Sequence, residues 1–567
     1  MKDKKIFCNL KYYFCTPMDY DILNKLPVWC KSQGVEFAIL CGGSRSAPLT
    51  LSFGGYNEIR CIAANDERSA GFIALGLAKA SKKPVVIVTT SGTAVANLYP
   101  AAAEAFYQNI PLLIFTADRE PNAALHFDGQ AINQENIFGK QVKGFFQMPV
   151  NITDSNLFNT NMLAAFELLY DGKPGPVHIN FPFIEPFYPA DYPFVYDNFI
   201  VPKLYKITEP PYSTTNSVID ELQPIWDYTQ KKLLVCGFGS DNNYDKKQIY
   251  DFAKHHKIPV IADVTSNIVT DLYHTDLLIR NIQDIDLFAP DLVITIGGNH
   301  TSKVLKNYIQ TTNYFHHWHI SPFATEYDFF EKPIENTICT NFLVKEAFEI
   351  NVSQQDYYNV WQEHSNKGKE AFNTFIKNIS WHELVVVKNI MENIPVGAVV
   401  HLANSMAVRW ANIIGNPQKF EIYCNRGTSG IDGCNSTALG MAMAQPHKQH
   451  FLITGDMAFQ YDSNAFFNND IPPNLAILIL NNNGGNIFKL IDGPTAIMPL
   501  EKYFANKHGL TFEYLAKHFG LDYVQLNNHT ELETHLYRKF KKTSIAEIIF
   551  SAENYKAVFD QYKNLKF

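Results

Sequence analysis

The chain has 567 residues, too many for one hydrophobic core, so its length predicts three or four domains. Hydrophobic residues make up 46% and charged residues 18%, the balance of an ordinary well-packed soluble protein. A formal net charge of -8, with no dense Lys/Arg block against it, excludes nucleic acid as an expected partner.

The nine cysteines are scattered and form no CxxC pair, which points to reduced thiols and not to a disulfide framework or zinc site. The start of the chain carries Lys2, Lys4 and Lys5, but its apolar run is broken by Asn9 and Lys11 and makes a poor signal peptide. No apolar run reaches the ~20 residues that cross a bilayer. A cytoplasmic protein without stable membrane insertion is expected.

Taken in chain order, residues 37–40 form a short apolar strand that runs into Cys41-Gly42-Gly43-Ser44. Residues 59–63 are a second strand, followed by a helical pattern over 67–79. The β-branched run Val85, Val86, Ile87, Val88 predicts a strand over 84–90, then an alanine-rich helix reaching Tyr107 and a strand over 111–116. The Gly/Pro-marked segment 172–176 precedes a last strand over 177–181, and Pro-rich sequence from 182 to 211 reads as a linker.

A second unit starts at Lys231, with strands over 233–236, 258–261 and 292–296. Its turns Gly237-Phe238-Gly239-Ser240 and Gly297-Gly298 lack the full GxGxxG pattern and read as tight strand-to-helix turns. The pattern restarts at Trp381, with strands over 398–402, 451–454, 475–480 and 545–550. Short apolar strands alternating with helices predict an α/β chain of three doubly wound parallel-sheet domains, the first and third alike. The expected boundaries are 1–195, 196–365 and 366–567.

Parallel sheets place their chemistry at the carboxyl ends of the strands. Gly455-Asp456 falls at one such end, and Asn481-Asn482-Asn483-Gly484-Gly485 at the next. One β-α-β unit thus sets Asp456 beside Asn482. A carboxylate, an amide oxygen and a glycine carbonyl form a hard oxygen set of the kind magnesium prefers. The glycines let backbone approach a diphosphate closely. A helix-capping Asp and a surface Asn turn are the bland alternative, and the pairing on adjoining strand ends disfavours it.

This pair resembles the thiamine diphosphate motif. On that resemblance Asp456, Asn482 and the backbone oxygen of Gly484 hold Mg2+ (or Mn2+). Gly455, Ser405, Ile431 and Ile487 then join them around the cofactor. Ile431 and Met457 are candidates for the apolar wedge that bends it; both also read as plain core residues. The cofactor needs a carboxyl group against its pyrimidine ring, and Glu67 is the candidate, in Asn65-Asp66-Glu67-Arg68. Burial there would raise its pKa, though a first-turn glutamate favoured by the helix dipole reads equally well.

Further segments resemble the 2-succinyl-5-enolpyruvyl-6-hydroxy-3-cyclohexene-1-carboxylate synthases of menaquinone biosynthesis. They run from Gly43-Ser44-Arg45-Ser46-Ala47-Pro48 through Asp66-Glu67-Arg68, Thr90-Ser91-Gly92-Thr93, Ala117-Asp118-Arg119 and Gly129-Gln130-Ala131. Asn404-Ser405 with Arg409, and Asn425-Arg426-Gly427, follow in the expected order.

The resemblance implies decarboxylation of 2-oxoglutarate and addition of the resulting carbanion to isochorismate. It assigns 1–195 to the pyrimidine, 196–365 to a central domain, and 366–567 to the diphosphate and metal. The two substrates bring four carboxylates, which Arg45, Arg119, Arg409 and Arg426 would meet with bidentate guanidinium forks. Ser44, Gln130, Lys303 and Ser405 complete the implied substrate shell. A homodimer or homotetramer with active sites between subunits is also implied.

Three positions depart from the family pattern: Gly42 where proline is usual, Val304 after Lys303 where arginine is usual, and Gly129 where some members carry asparagine. The alternatives are another thiamine diphosphate carboligase or decarboxylase, acetolactate synthase-like, and a non-catalytic α/β cofactor-binding regulatory protein.

Overall fold

The computed structural model describes residues 18–121, 123–126, 128–188, 194–196, 201, 216–240, 245–321, 323, 329–331, 336–338, 348, 352–415, 419–490, 500–536, 538, 541–550 and 555–567. The start of the chain, with its lysines, and most of the expected linker over 182–211 lie outside them. The chain forms two compact units, Met1–Ile207 and Thr208–Phe567.

The first unit holds strands β1 (Phe37–Cys41), β2 (Arg60–Ala64), β3 (Val85–Thr89), β4 (Leu112–Asp118), β5 (Phe145–Gln147) and β6 (Val177–Pro182). They pair in the order β2-β1-β3-β4-β6-β5, every pair parallel. All five residues of β3 are buried, as a strand covered on both faces requires. The helix Glu67–Ser81 starts where Asp66 accepts the Ser69 backbone N–H at 3.1 Å.

The alanine-rich stretch differs from expectation. It is two helices, Thr93–Asn97 and Tyr99–Gln108, and not one. Pro100 has no N–H to carry the ladder across the junction, so the chain closes one helix at Leu98 and begins another.

The second unit holds two sheets. In one, β7 (Lys232–Cys236), β8 (Val260–Ala262), β9 (Leu292–Ile296), β10 (His316–Ile320) and β11 (Asn336–Ile338) pair in the order β11-β10-β9-β7-β8. In the other, β12 (Val399–Leu402), β13 (Glu421–Cys424), β14 (His450–Gly455), β15 (Leu475–Asn481), β16 (Asp522–Leu526) and β17 (Ser544–Ile549) pair in the order β13-β12-β14-β15-β17-β16. The first and last sheets therefore share one winding pattern, as their matching sequence rhythm predicts.

The two sheets of this unit are tied at an edge. Asn267 accepts the Ile422 N–H at 2.7 Å and donates to the Ile422 carbonyl at 2.9 Å, so its side chain completes the outer face of β13. The glycine turns after β7 and β9 are closed on each other. Phe238 N–H meets the Asn299 carbonyl at 3.0 Å, and Gly298 N–H meets the Phe238 carbonyl at 2.8 Å. A Cβ on Gly237 would lie 2.1 Å from the Gly298 oxygen. They are tight turns, as read.

Candidate active site

In the order β13-β12-β14-β15 the winding reverses between β12 and β14, which opens a crevice at their carboxyl ends. Ser405 follows β12, Asp456 follows β14, and Asn482 follows β15. Ser405 takes φ 72°, ψ -126°, an uncommon conformation for a residue with a side chain and one that clusters at functional sites.

Asp456 is almost fully buried. Its Oδ1 accepts the Met457 N–H at 2.7 Å, and its Oδ2 accepts the Gly484 N–H at 2.9 Å. Burial raises its pKa, while these backbone bonds and nearby His508 oppose the rise. The Leu510 N–H donates to His508 Nδ1 at 2.9 Å, so a neutral His508 carries its proton on Nε2, 3.2 Å from Asp456 Oδ2. Gly484 takes φ +134°, and a Cβ there would meet the Ala505 carbonyl oxygen at 2.4 Å. Only glycine fits that turn.

Asn482 donates from Nδ2 to Glu383 Oε1 at 2.5 Å, while its Oδ1 accepts from Asn486 at 2.9 Å. The other Glu383 oxygen accepts the Trp410 indole N–H at 2.7 Å. Burial pushes Glu383 up to about 7, against those two bonds and with help from the Asp456 charge. Sequence reading missed Glu383 and His508. A signal for Glu383 existed: it stands in register with the apolar helix positions Val387 and Ile390, where a charged residue needs partners.

Glu383, Asp456, Asn482 and Gly484 line one cavity of about 210 Å³ that opens to solvent. Ser405, Ile431, Gly455, Asp456, Met457, Asn482, Gly484 and Ile487 all face it. The donor chemistry fits a hard divalent ion with a diphosphate. One carboxylate and two neutral oxygens leave half of the cation's charge for phosphate oxygens to neutralise. The glycine turn leaves backbone, without side chains, at that wall.

The arginines stand in pairs. In the first unit Arg45, after β1, is buried, donates to the Phe183 carbonyl and lies 4.6 Å from the Phe187 ring centre. Burial lowers its pKa, and the Arg119 charge lowers it further. Arg119 closes β4 with a buried Nε that has no hydrogen-bond partner among the described residues. Ser44 and Gln130 are exposed in neighbouring loops, Gln130 with its carbonyl accepting from Ser91 at 2.9 Å. Glu67 is half-buried, and its Oε2 accepts from Asn97 at 3.3 Å.

In the second unit Arg409 donates to the Ser405 carbonyl at 2.6 Å, and burial followed by the Arg426 charge lowers its pKa. Arg426 donates to Asn404 Oδ1 at 3.2 Å and reaches the His300 carbonyl at 3.5 Å; its buried Nε has no partner among the described residues. Lys303 is exposed at the start of the helix Lys303–Thr311, three residues beyond His300. Arg45 also has Glu185 Oε1 at 4.0 Å, with Asp118 and Glu120 nearby, but the unpartnered Nε groups of Arg119 and Arg426 suit an anionic ligand.

Residues 26–141 match the family described as thiamine pyrophosphate enzyme, N-terminal TPP binding domain, and residues 208–401 match the middle domain of thiamine pyrophosphate enzymes. A 2-succinyl-5-enolpyruvyl-6-hydroxy-3-cyclohexene-1-carboxylate synthase of Cytophaga hutchinsonii is 37% identical over 534 residues, covering 91% of this chain and 93% of its own. Its counterpart in Flavobacterium psychrophilum is 35% identical, covering 94% and 97%. That of Bacteroides fragilis is 32% identical, covering 89% and 90%.

Proposed function

The chain belongs to the 2-succinyl-5-enolpyruvyl-6-hydroxy-3-cyclohexene-1-carboxylate synthase family of thiamine diphosphate enzymes, and from that premise we propose that it joins 2-oxoglutarate to isochorismate with release of CO2. The observation that carries the substrate assignment is the pairing of Arg45 with Arg119 and of Arg409 with Arg426. Guanidinium forks in pairs suit ligands with several carboxylates, and a monocarboxylate such as pyruvate would leave them unsatisfied.

Each residue has a task in this reading. Asp456, Asn482 and the Gly484 carbonyl hold Mg2+ or Mn2+, which anchors the diphosphate. Ser405, Gly455, Ile431 and Ile487 border the cofactor. Glu67 moves the proton that activates it. When bound, the thiazolium ring of thiamine diphosphate supplies the electron sink for decarboxylation. Arg45, Arg119, Arg409 and Arg426, with Ser44, Gln130 and Lys303, bind and orient the substrate carboxylates, so that the carbon–carbon bond forms between fixed partners.

The same proposal includes a three-domain division at 1–195, 196–365 and 366–567, assembly as a homodimer or homotetramer with active sites between subunits, and a cytoplasmic location. Among the described residues no helix is long and apolar enough to cross a membrane. Incubating the protein with thiamine diphosphate, magnesium, isochorismate and either 2-oxoglutarate or pyruvate tests the substrate pair. Consumption of isochorismate with 2-oxoglutarate alone is the expected result; consumption with pyruvate alone contradicts it.

A further inference from the structure

A side-chain amide is nearly symmetric in shape, and only its oxygen can bind a cation. A metal ligand of this type therefore needs a neighbour that fixes which end faces the ion. Asn482 has such a neighbour. Its Nδ2 is held at 2.5 Å by Glu383 Oε1, and Glu383 is itself held by the Trp410 indole N–H at 2.7 Å on its other oxygen. Both donors are N–H groups that can only give, so toward them the carboxylate receives; the Tyr555 hydroxyl also stands beside it. The amide nitrogen is drawn toward Glu383, which turns Oδ1 the other way, where it accepts from Asn486 Nδ2 at 2.9 Å.

The surroundings make the acid costly. Glu383 is almost fully buried and shares its helix face with Leu384, Val387 and Ile390. A leucine would pack there without desolvating a charge, so packing alone does not account for a carboxylate. We propose that Glu383 is a positioning residue that sets the orientation of the Asn482 amide for metal binding, with Trp410 fixing Glu383 in turn. This rests on the reading of Asn482 as a metal ligand. Partners of this outer kind are worth about ten- to hundredfold in metal affinity.

The test measures Mg2+ binding by calorimetry to the full chain with saturating thiamine diphosphate, alongside thermal unfolding. Glu383→Gln keeps the size but turns one acceptor into a donor, so it must oppose either the indole N–H or the Asn482 amide. The expected result is a Kd for Mg2+ raised about tenfold or more, with little change in unfolding midpoint. Adding Trp410→Phe removes the competing donor and frees the glutamine oxygen for Asn482. The double variant then regains affinity to within about threefold of wild type, a rescue that a general packing role does not produce.

An unchanged Kd in Glu383→Gln, or a double variant that binds no better than the single one, overturns the proposal. Should the single variant fail to fold, the double variant, with no opposed donors, still has to bind Mg2+ as the wild type does. Asn482→Ala separates the two readings. Normal Mg2+ binding in Asn482→Ala removes the metal-ligand assignment itself. Lost binding there with a normal Glu383→Gln removes only the role of Glu383.

Discussion

Gly484 donates its backbone N–H to Asp456 Oδ2 at 2.9 Å, which locks the turn after β15 onto the carboxylate that closes β14. That bond brings the two halves of the motif together across adjoining strands. It also makes the turn sensitive to any side chain at Gly484, where φ is +134° and an added Cβ would stand 2.4 Å from the Ala505 oxygen. Gly484→Ala should therefore shift the backbone, at a cost of about 1–3 kcal/mol, and weaken cofactor binding. Thermal unfolding and calorimetry check both; wild-type values in each would contradict the role given to this turn.

Removing the carboxylate acts on the metal directly. Asp456→Ala should abolish magnesium-dependent binding of thiamine diphosphate while the sheet stays folded, since the side chain bonds a turn and no strand. Calorimetry with and without Mg2+ reads the effect, and unchanged affinity removes Asp456 from the site.

Glu67→Gln should retain thiamine diphosphate and lose turnover by roughly a hundredfold or more, the typical worth of a positioned proton-transfer group. The deuterium exchange rate of the cofactor's reactive carbon reports the step without needing either substrate. Full exchange in the variant contradicts the role given to Glu67.

Replacing one fork by a point charge tests the substrate pockets. Arg409→Lys and Arg119→Lys should each raise KM for a carboxylate substrate about tenfold, on the order of 1.4 kcal/mol, with cofactor affinity unchanged in Arg119→Lys. Steady-state kinetics with each substrate varied in turn would show which pair meets which acid.

The buried histidines predict how stability depends on pH. Burial pushes His178 from 6.5 to about 3, and His274 and His450 from 6.5 to about 4. A depressed folded value means that the unfolded chain takes up protons first. Stability is then full above pH 6.5 and falls as pH drops toward 4, by about 3 kcal/mol for each histidine lowered from 6.5 to about 4. Chemical unfolding at pH 7.5, 6 and 5 should show midpoints falling in that order; a flat profile contradicts the buried neutral rings.

Much of this was legible in the sequence because parallel strands buried on both faces leave unbroken apolar runs. Val85 to Val88, Leu292 to Ile296 and Leu475 to Leu480 were read as strands for that reason. Strands without such runs were not read. β10 is His316-His317-Trp318-His319-Ile320, and β13 and β16 are sheet edges with alternating polar residues. The short β5 and β11, at the edges of their sheets, carry too little pattern to register.

The same division holds at the site. Asp456 and Asn482 were readable because one chain segment carries both, at strand ends set by a single β-α-β unit. Glu383 and His508 reach Asn482 and Asp456 from 99 and 52 residues away. No local pattern records such a contact, since folding alone makes them neighbours. The register of Glu383 with an apolar helix face was the one trace it left.

The most direct test of the central claim is CO2 release from 2-oxoglutarate by the protein with thiamine diphosphate and magnesium, with and without isochorismate. The expected result is release coupled to isochorismate loss and to a new adduct, seen by mass spectrometry, carrying the carboxylates of both substrates. Release from pyruvate with none from 2-oxoglutarate would keep the cofactor site and contradict the reaction proposed for it.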